Sequence, residues 1–309
     1  MAKKGMLHIY FMVVLAILFW GASFAGAKMA LEQASPLLVM TLRFVLSLPV
    51  LGAAALFMGE MKLPSAKQAA ILASLGFFGF FFHLGIQTVA MQTSGTANAN
   101  WQMTASPALT ALLAALFLKE KINARGICGI ITAFLGVALV LSLGTRGAAG
   151  LSAYNFGDFL ITVSMLNWAS FMVITRWLFS KEQYPPVFTL FWEMIFATLM
   201  CLPLLAATHT GISVVTGFRW QTWGALALLG FLCSGLAYLF WYIAAARIPV
   251  AKLMVFQFLQ PLVGVLVGYF VIGERFTFWL FISGAMIILG VWLVNTQPHA
   301  QDALNSREK

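Results

Sequence analysis

The sequence predicts an all-α integral membrane protein with ten transmembrane helices, arranged as two inverted five-helix repeats. Three observations predict it. Of the 309 residues, 61% are hydrophobic and 9% charged, whereas an average soluble domain has about 25% charged residues. The chain breaks into ten mostly apolar runs, each close to the roughly 20 residues a helix needs to cross the hydrocarbon core. Finally, the design of His83 to Glu120 returns in Ala237 to Glu274. In each stretch an apolar helix ends at a short polar turn, the next helix carries a polar residue and proline (Ser106-Pro107, Gln260-Pro261), and a glutamate closes the copy. The two prolines, the two glutamates, and Gly136 with Gly290 all stand 154 residues apart, so the chain reads as one unit written twice.

The first half, residues 1–143, holds spans at about His8–Lys28, Pro36–Met58, Ala69–Met91, Ala99–Leu118 and Ala124–Leu143. Ala25-Gly26-Ala27 resembles a signal-peptide cleavage site. Cleavage is rejected because Trp20 and Lys28 find counterparts in Trp168 and Arg176 at one offset of 148, so the segment belongs to the repeat. Residues 144–155, rich in Gly, Ser and Ala, form the linker. The second half, residues 156–295, repeats the plan at about Phe156–Leu178, Pro186–Ala207, Thr222–Ala245, Leu253–Ile272 and Phe276–Asn295. The polar tail 296–309 reads as disordered.

Five spans per half is odd, so matching helices cross the bilayer in opposite senses. Charge agrees. With both termini cytoplasmic, thirteen Lys and Arg fall inside and four outside, as the positive-inside rule requires. This dispersal at helix ends also accounts for the net charge of +9 without a nucleic-acid partner. Cys128, Cys201 and Cys233 sit in apolar runs at no metal or redox spacing and read as small packing residues.

Ionisable groups inside a membrane are costly and point to function. Arg43 and Glu193 each lie seven residues after a proline, Pro36 and Pro186. Arg43 is placed towards the outer face and Glu193 towards the inner. Two readings stand: gate residues, with Glu193 a proton acceptor, or side chains that snorkel or pair locally and fix packing. His83 lies mid-span with Gln87 one turn later on the same face. Their counterparts, Ala237 and Trp241, show that the shared fold does not demand a polar pair. His83 is therefore either a hydrogen-bonded core residue or a solute or proton ligand. With no second His or acid at ligand spacing, no metal site is expected, and no cofactor.

Asn98, Gln102 and Ser106 make a polar stripe on the fourth span that cannot face lipid. The ninth span matches it with Gln260 and adds Gln257. Pro107 and Pro261 either interrupt these helices at a binding site or only shape packing. Trp20, Trp101, Trp168, Tyr238 and Trp241 concentrate aromatic surface in the same region. An aromatic cavity with a few amides suits an amphipathic or aromatic solute better than a multiply charged one, although packing and interfacial belts also use tryptophan. Gly264 and Gly268 allow close helix packing, within the fold or in a weak homodimer of an otherwise monomeric protein. No HExxH, paired intramembrane aspartates or Ser-His arrangement signals an enzyme.

Trp20-Gly21 with Lys28, Arg43, and the Pro107–Glu120 and Pro261–Glu274 segments resemble the EamA-type family of the drug/metabolite transporter superfamily, over about residues 9 to 295. The resemblance implies a ten-helix secondary transporter, usually an exporter of small metabolites, in the inner (plasma) membrane with both termini cytoplasmic. It implies that the first, third, fourth, sixth, eighth and ninth spans line a cavity between two rocking halves. It supplies no substrate. A proton is the coupling ion if His83 or Glu193 titrates during the cycle. Otherwise the protein is an uncoupled uniporter or exchanger, or a membrane receptor or structural protein without transport.

Overall fold

Apolar runs this long leave the backbone one way to satisfy its own polar groups in lipid, the α-helix, and the polar residues between them decide where each helix begins. The computed structural model describes residues 2–94, 99, 102–103, 105–119, 123–139, 155–181, 184–208, 213–260, 263 and 278–295. Among these the structure is helical and contains no strand. The helices named here are α1 (Ala2–Leu31), α2 (Pro36–Phe57), α3 (Ala66–Ala90), α4 (Ser106–Leu118), α5 (Ala124–Leu139), α6 (Phe156–Leu178), α7 (Pro186–Ala207), α8 (Trp220–Ala245), α9 (Val250–Leu259) and α10 (Phe278–Asn295). A single turn of helix, Ser213–Thr216, precedes α8. Among the described residues six helices, α1, α2, α3, α6, α7 and α8, are long and apolar enough to cross a membrane, and four shorter apolar helices accompany them. Large apolar side chains stand on the outer surface, among them Phe57, Phe117 and Trp220, as lipid requires and water penalises. This is a multi-pass membrane protein.

Caps explain where helix starts differ from the expected ones. Ser65 and Gln68 form a reciprocal capping box, so α3 begins at Ala66, ahead of the apolar run expected from Ala69. Ser35 caps α2 one way, its hydroxyl accepting from the Leu38 N–H, with Pro36 in the first turn. Asn155 and Asp158 box the start of α6. The fourth span is interrupted just before Pro107: residues 99, 102 and 103 are helical, Ala105 forms a turn, and the chain restarts at Ser106 with Pro107 in the first turn of α4, where a missing N–H costs little.

The two halves interlock. α2 packs on α7 and α8, α3 on α7 and α6, α1 on α8 and α9, α4 on α6 and α9, and α5 on α10. Glycine permits the closest of these crossings: a Cβ on Gly290 would stand 2.5 Å from the Gly129 carbonyl oxygen, and one on Gly136 2.9 Å from that of Ser283. Loops of the first half also cap helices of the second. Glu60 Oε2 accepts from the backbone N–H of Val187 and Phe188 at the start of α7, both at 2.9 Å, where the helix dipole favours a carboxylate. Gln33 Oε1 accepts from Arg219 N–H and the Thr222 hydroxyl at the start of α8. Cys201 and Cys233 are buried as expected, but Cys128 is exposed on α5 and faces outward where packing was expected. The linker, the tail, Gly264 and Gly268, and both segment-closing glutamates, Glu120 and Glu274, lie outside the described residues.

Candidate functional site

Three helices change winding around the cavity, α9 tightening to a 3-10 helix over Val255–Leu259, which carries Gln257, and two others loosening. α3 is π-helical over Phe77–Phe82 and α8 over Leu228–Leu236. A π segment adds residues to the turn and re-aims the side chains after it. Those side chains are His83 in α3 and Ala237-Tyr238 in α8. Gly21 lets α1 approach the ninth span: a Cβ there would meet the Val263 side chain at 2.6 Å and the Gln260 carbonyl oxygen at 3.3 Å. Between these elements lies a narrow cavity of about 40 Å³, lined by Trp20, Ser23, Phe24, Arg43, His83, Leu84, Gln87, Met103, Trp168, Tyr238, Gln257 and Gln260. A water molecule's share of the liquid is about 30 Å³. The space as it stands therefore suits water and not an organic solute.

Its wall is aromatic. Trp20 and Trp168, at matching positions in α1 and α6, meet edge to face with centroids 6.0 Å apart. Tyr238 lies 5.0 Å from Trp20 and 6.1 Å from Trp168. The Trp20 indole N–H donates to the Cys233 carbonyl at 3.1 Å, whereas the Trp168 N–H is buried without an acceptor.

The imidazole of His83 stacks on Trp168, centroids 5.0 Å apart at 20°. Its Nδ1 lies 3.2 Å from the Ser164 carbonyl oxygen and 2.8 Å from Ser164 Oγ. A carbonyl only accepts, so the first contact assigns a proton to Nδ1. The Ser164 hydroxyl is then free to donate to the His83 carbonyl, 3.4 Å away. Nε2, 3.5 Å from Gln87 Nε2, is left as the ring atom able to accept. Ser164 thus orients the ring, and Gln87 shares its face as the one-turn spacing requires.

Arg43 and Glu193 are both buried, 6% and 0% exposed, so neither snorkels. Arg43 Nε donates to Ser234 Oγ at 2.9 Å, and among the described residues it is the only permanently charged side chain in the cavity wall. Glu193 does not line the cavity. Its Oε2 accepts from the Tyr242 hydroxyl at 2.5 Å, and its Oε1 has no partner.

Of the expected cavity residues, the structure brings together Trp20, His83, Gln87, Trp168, Tyr238, Gln257 and Gln260. Three others lie elsewhere. Trp241 is fully buried behind Trp20, centroids 4.9 Å apart. Ser106 is fully buried with its hydroxyl unpartnered, so a polar stripe position here faces packed protein and not the cavity. Gln102 accepts from the Thr162 hydroxyl at 2.6 Å. Asn98, Trp101 and Pro261 lie outside the described residues. Sequence reasoning missed Ser23, Phe24, Leu84 and Met103 in the wall and Ser164 and Ser234 as orienting partners. Serines and methionines in apolar helices are too common to carry a signal. It also assigned Arg43 to gating or packing, and only the fold turns it to the cavity.

A larger cleft of about 480 Å³ lies between α4 and α6, lined by Leu113, Phe117, Leu118, Ser170, Val173, Ile174 and Trp177. Nearly all apolar and opening among outward-facing side chains, it is lipid-facing surface. Among the described residues no three His, Cys, Asp or Glu side chains come together as metal ligands.

Comparison with known proteins agrees with this architecture. "Uncharacterized transporter" of Archaeoglobus fulgidus is 27% identical over 290 residues, covering 94% of this chain and 98% of its own. "Uncharacterized transporter YyaM" of Bacillus subtilis is 29% identical over 286 residues, covering 92% of each chain. "Probable amino-acid metabolite efflux pump" of Salmonella typhimurium is 24% identical over 294 residues, covering 92% of this chain and 93% of its own. One crystal structure shares the fold with a TM-score of 0.74 at 21% identity, over 94% of this chain and 98% of the solved one. A sequence profile described as the EamA-like transporter family matches residues 7–142 and again residues 155–296. Matched once in each half and across almost its whole length, the chain belongs to the EamA-like transporter family.

Proposed function

We propose that this protein is a secondary transporter of the inner membrane that exports a small amphipathic or aromatic organic solute, by alternating access around the cavity between two inverted five-helix halves. The observation that carries the reading is the wall itself. α1, α2 and α3 of the first half and α6, α8 and the ninth span of the second each contribute to one narrow space with aromatic faces, three amides, an imidazole and a guanidinium.

Pseudo-twofold packing supports ten spans in inverted halves. α1 on α8 is answered by α6 on α3, α2 on α8 by α7 on α3, and α4 on α6 by α9 on α1, while α2–α7 and α5–α10 pair with their own counterparts. Both halves match the same family profile. A space too small for an organic solute supports a cycle in which the halves must part to admit it. The names of relatives as amino-acid metabolite efflux pumps support a metabolite of amino-acid size. Trp20, Trp168 and Tyr238 would hold its apolar part, and Gln87, Gln257 and Gln260 its polar groups. His83, with Nδ1 held by Ser164 and Nε2 able to accept, would carry the coupling proton. Glu193, Pro107 and Pro261 would set the geometry of opening, and both termini would be cytoplasmic.

The test is solute counterflow in proteoliposomes holding the full-length protein, preceded by a thermal-shift screen of amino acids, purines and vitamins, since ligand binding raises apparent stability. At least one stabilising solute should exchange across the membrane. Stabilisation by solutes of which none exchanges would make the protein a receptor.

A further inference from the structure

Deepening the transporter reading, on which it rests, we propose that Arg43 is the anion receptor of the cavity: its two terminal guanidinium nitrogens bind the carboxylate of the transported solute, whose apolar part lies against Trp20 and Trp168.

Two arginines inside the helical bundle make the contrast that supports this. Arg176 is spent on structure, because its Nη1 donates to the carbonyls of Ala245 and Ala246, both at 2.8 Å, at the end of α8. Arg43 uses Nε alone, on Ser234 Oγ at 2.9 Å. Among the described residues its two terminal nitrogens have no hydrogen-bond partner and no carboxylate pairs with it. Yet the residue is 6% exposed, and the part left uncovered is cavity wall. A buried cation with open donors is costly unless something of opposite charge arrives. No described protein group supplies that charge, since no acidic side chain lines the cavity and Glu193 is bonded to Tyr242 outside it.

The bond to Ser234 also fixes how the fork presents itself. With Nε tied to α8, the guanidinium plane is held and its far edge offers two parallel N–H donors, the pattern that matches the two oxygens of a carboxylate. The indoles of Trp20 and Trp168, centroids 6.0 Å apart, stand in the same wall and offer apolar surface to the rest of the solute. Gln257, whose Oε1 is buried without a donor, lines the cavity too and can accept an N–H or O–H from the same solute. A singly charged carboxylate on an aromatic or aliphatic body fits this wall. A dianion does not, because one guanidinium is all the permanent positive charge in it.

The probes are two acids and their neutral amides, 3-phenylpropionate with 3-phenylpropionamide and indole-3-acetate with indole-3-acetamide, with chloride as a simple anion. Each is titrated against purified full-length protein by thermal shift and tryptophan fluorescence. In the wild type the acids should bind at least about tenfold tighter than the amides. Arg43→Gln should weaken the acids far more than the amides and so collapse that preference. Arg43→Lys keeps the charge but not the fork and should lose several-fold for the acids alone. It is the deciding variant if Arg43→Gln does not fold. An acid-to-amide ratio unchanged by substitution, no acid binding to the wild type, or equal protection by chloride would each overturn the proposal. Failure of the transporter reading looks different: Arg43-dependent acid binding without counterflow removes transport and keeps the receptor. Counterflow of an acid that survives Arg43→Gln undiminished removes the receptor and keeps transport.

Discussion

The two halves hold the same helices in matching places but put different chemistry on them. α2 and α7 are both 22 residues long, open on a proline and carry an internal one, Pro49 and Pro203. Seven residues in, one carries Arg43 against Ser234 at the cavity and the other Glu193 against Tyr242 away from it. In α3 the π segment delivers His83, and in α8 the matching one delivers Ala237 and then Tyr238. The first half thus supplies the cation, the imidazole and one amide of the wall, and the second supplies a phenol and two amides. What the two halves share is helix crossing, with glycine kept at Gly76 and Gly230 and at Gly136 and Gly290. Where they differ is the identity of the side chain turned inward.

If the imidazole and the carboxylate have diverged into different roles, exchanging each for a neutral amide should separate them. This is the largest effect expected. His83→Gln keeps a hydrogen-bonding side chain that cannot titrate, so pH-gradient-driven transport in liposomes should be abolished while solute binding persists. Glu193→Gln can still accept from Tyr242 and lies outside the cavity, so gradient dependence should remain. Loss of gradient dependence in Glu193→Gln with none in His83→Gln would move the proton site to α7. Wild-type behaviour of His83→Ala in binding and in pH-driven transport would leave His83 a core residue.

The shared part of the comparison is open to a packing test of intermediate size. Gly76 in α3 and Gly230 in α8 stand 154 residues apart. A Cβ on Gly76 would meet the Glu193 carbonyl oxygen at 2.5 Å, and one on Gly230 would overlap the Leu46 Cβ. Neither neighbour can swing aside, because one is backbone and the other is attached to it. Alanine at either position should cost about 2–3 kcal/mol, as overpacking does, read as lowered thermal stability in detergent. A large loss at one glycine and none at the other breaks the equivalence of the α3–α7 and α2–α8 crossings.

Helix existence was legible because apolar length leaves its mark along the chain; glycines and prolines at constant offset mark two stretches, each of which matches the family profile. The inward set was legible only where a residue type is rare in lipid. His83 and Arg43 stand out against their helices, and Gln87 follows from one-turn spacing. Ser106 and Gln102 stand out equally, yet Ser106 is buried in packing and Gln102 meets Thr162. A stripe of polar residues announces that it avoids lipid, and not whether it meets water or protein. Ser164 and Ser234, which orient the imidazole and the guanidinium, carry no such mark. Their importance comes from helices 81 and 191 residues away in sequence. The π segments were likewise invisible, since FFGFFF reads as an ordinary apolar turn.

The smallest effect separates the matched tryptophans. Trp20 and Trp168 are both nearly buried, touch each other and line one cavity, so truncation to phenylalanine removes a similar amount of aromatic surface from each. Their N–H groups differ. Trp20 donates to the Cys233 carbonyl, inside the π segment of α8, and Trp168 donates to nothing among the described residues. Trp20→Phe should therefore cost about 1 kcal/mol more than Trp168→Phe, the usual net worth of one hydrogen bond, because the second substitution removes a donor that was unsatisfied already. In solute binding the order should reverse. The Trp168 N–H is buried here on a residue of the cavity wall, so parting of the halves would uncover a donor with no protein partner to give up, and Trp168→Phe should weaken binding more than Trp20→Phe. Thermal unfolding and binding titrations on both variants measure the two orders independently. Equal stability losses would mean that the Trp20 bond contributes nothing in the membrane-embedded fold. Stronger binding by Trp168→Phe than by Trp20→Phe would mean that the Trp168 N–H is a buried orphan with no solute partner, and the polar recognition in this wall would then fall to Arg43, His83 and the glutamines.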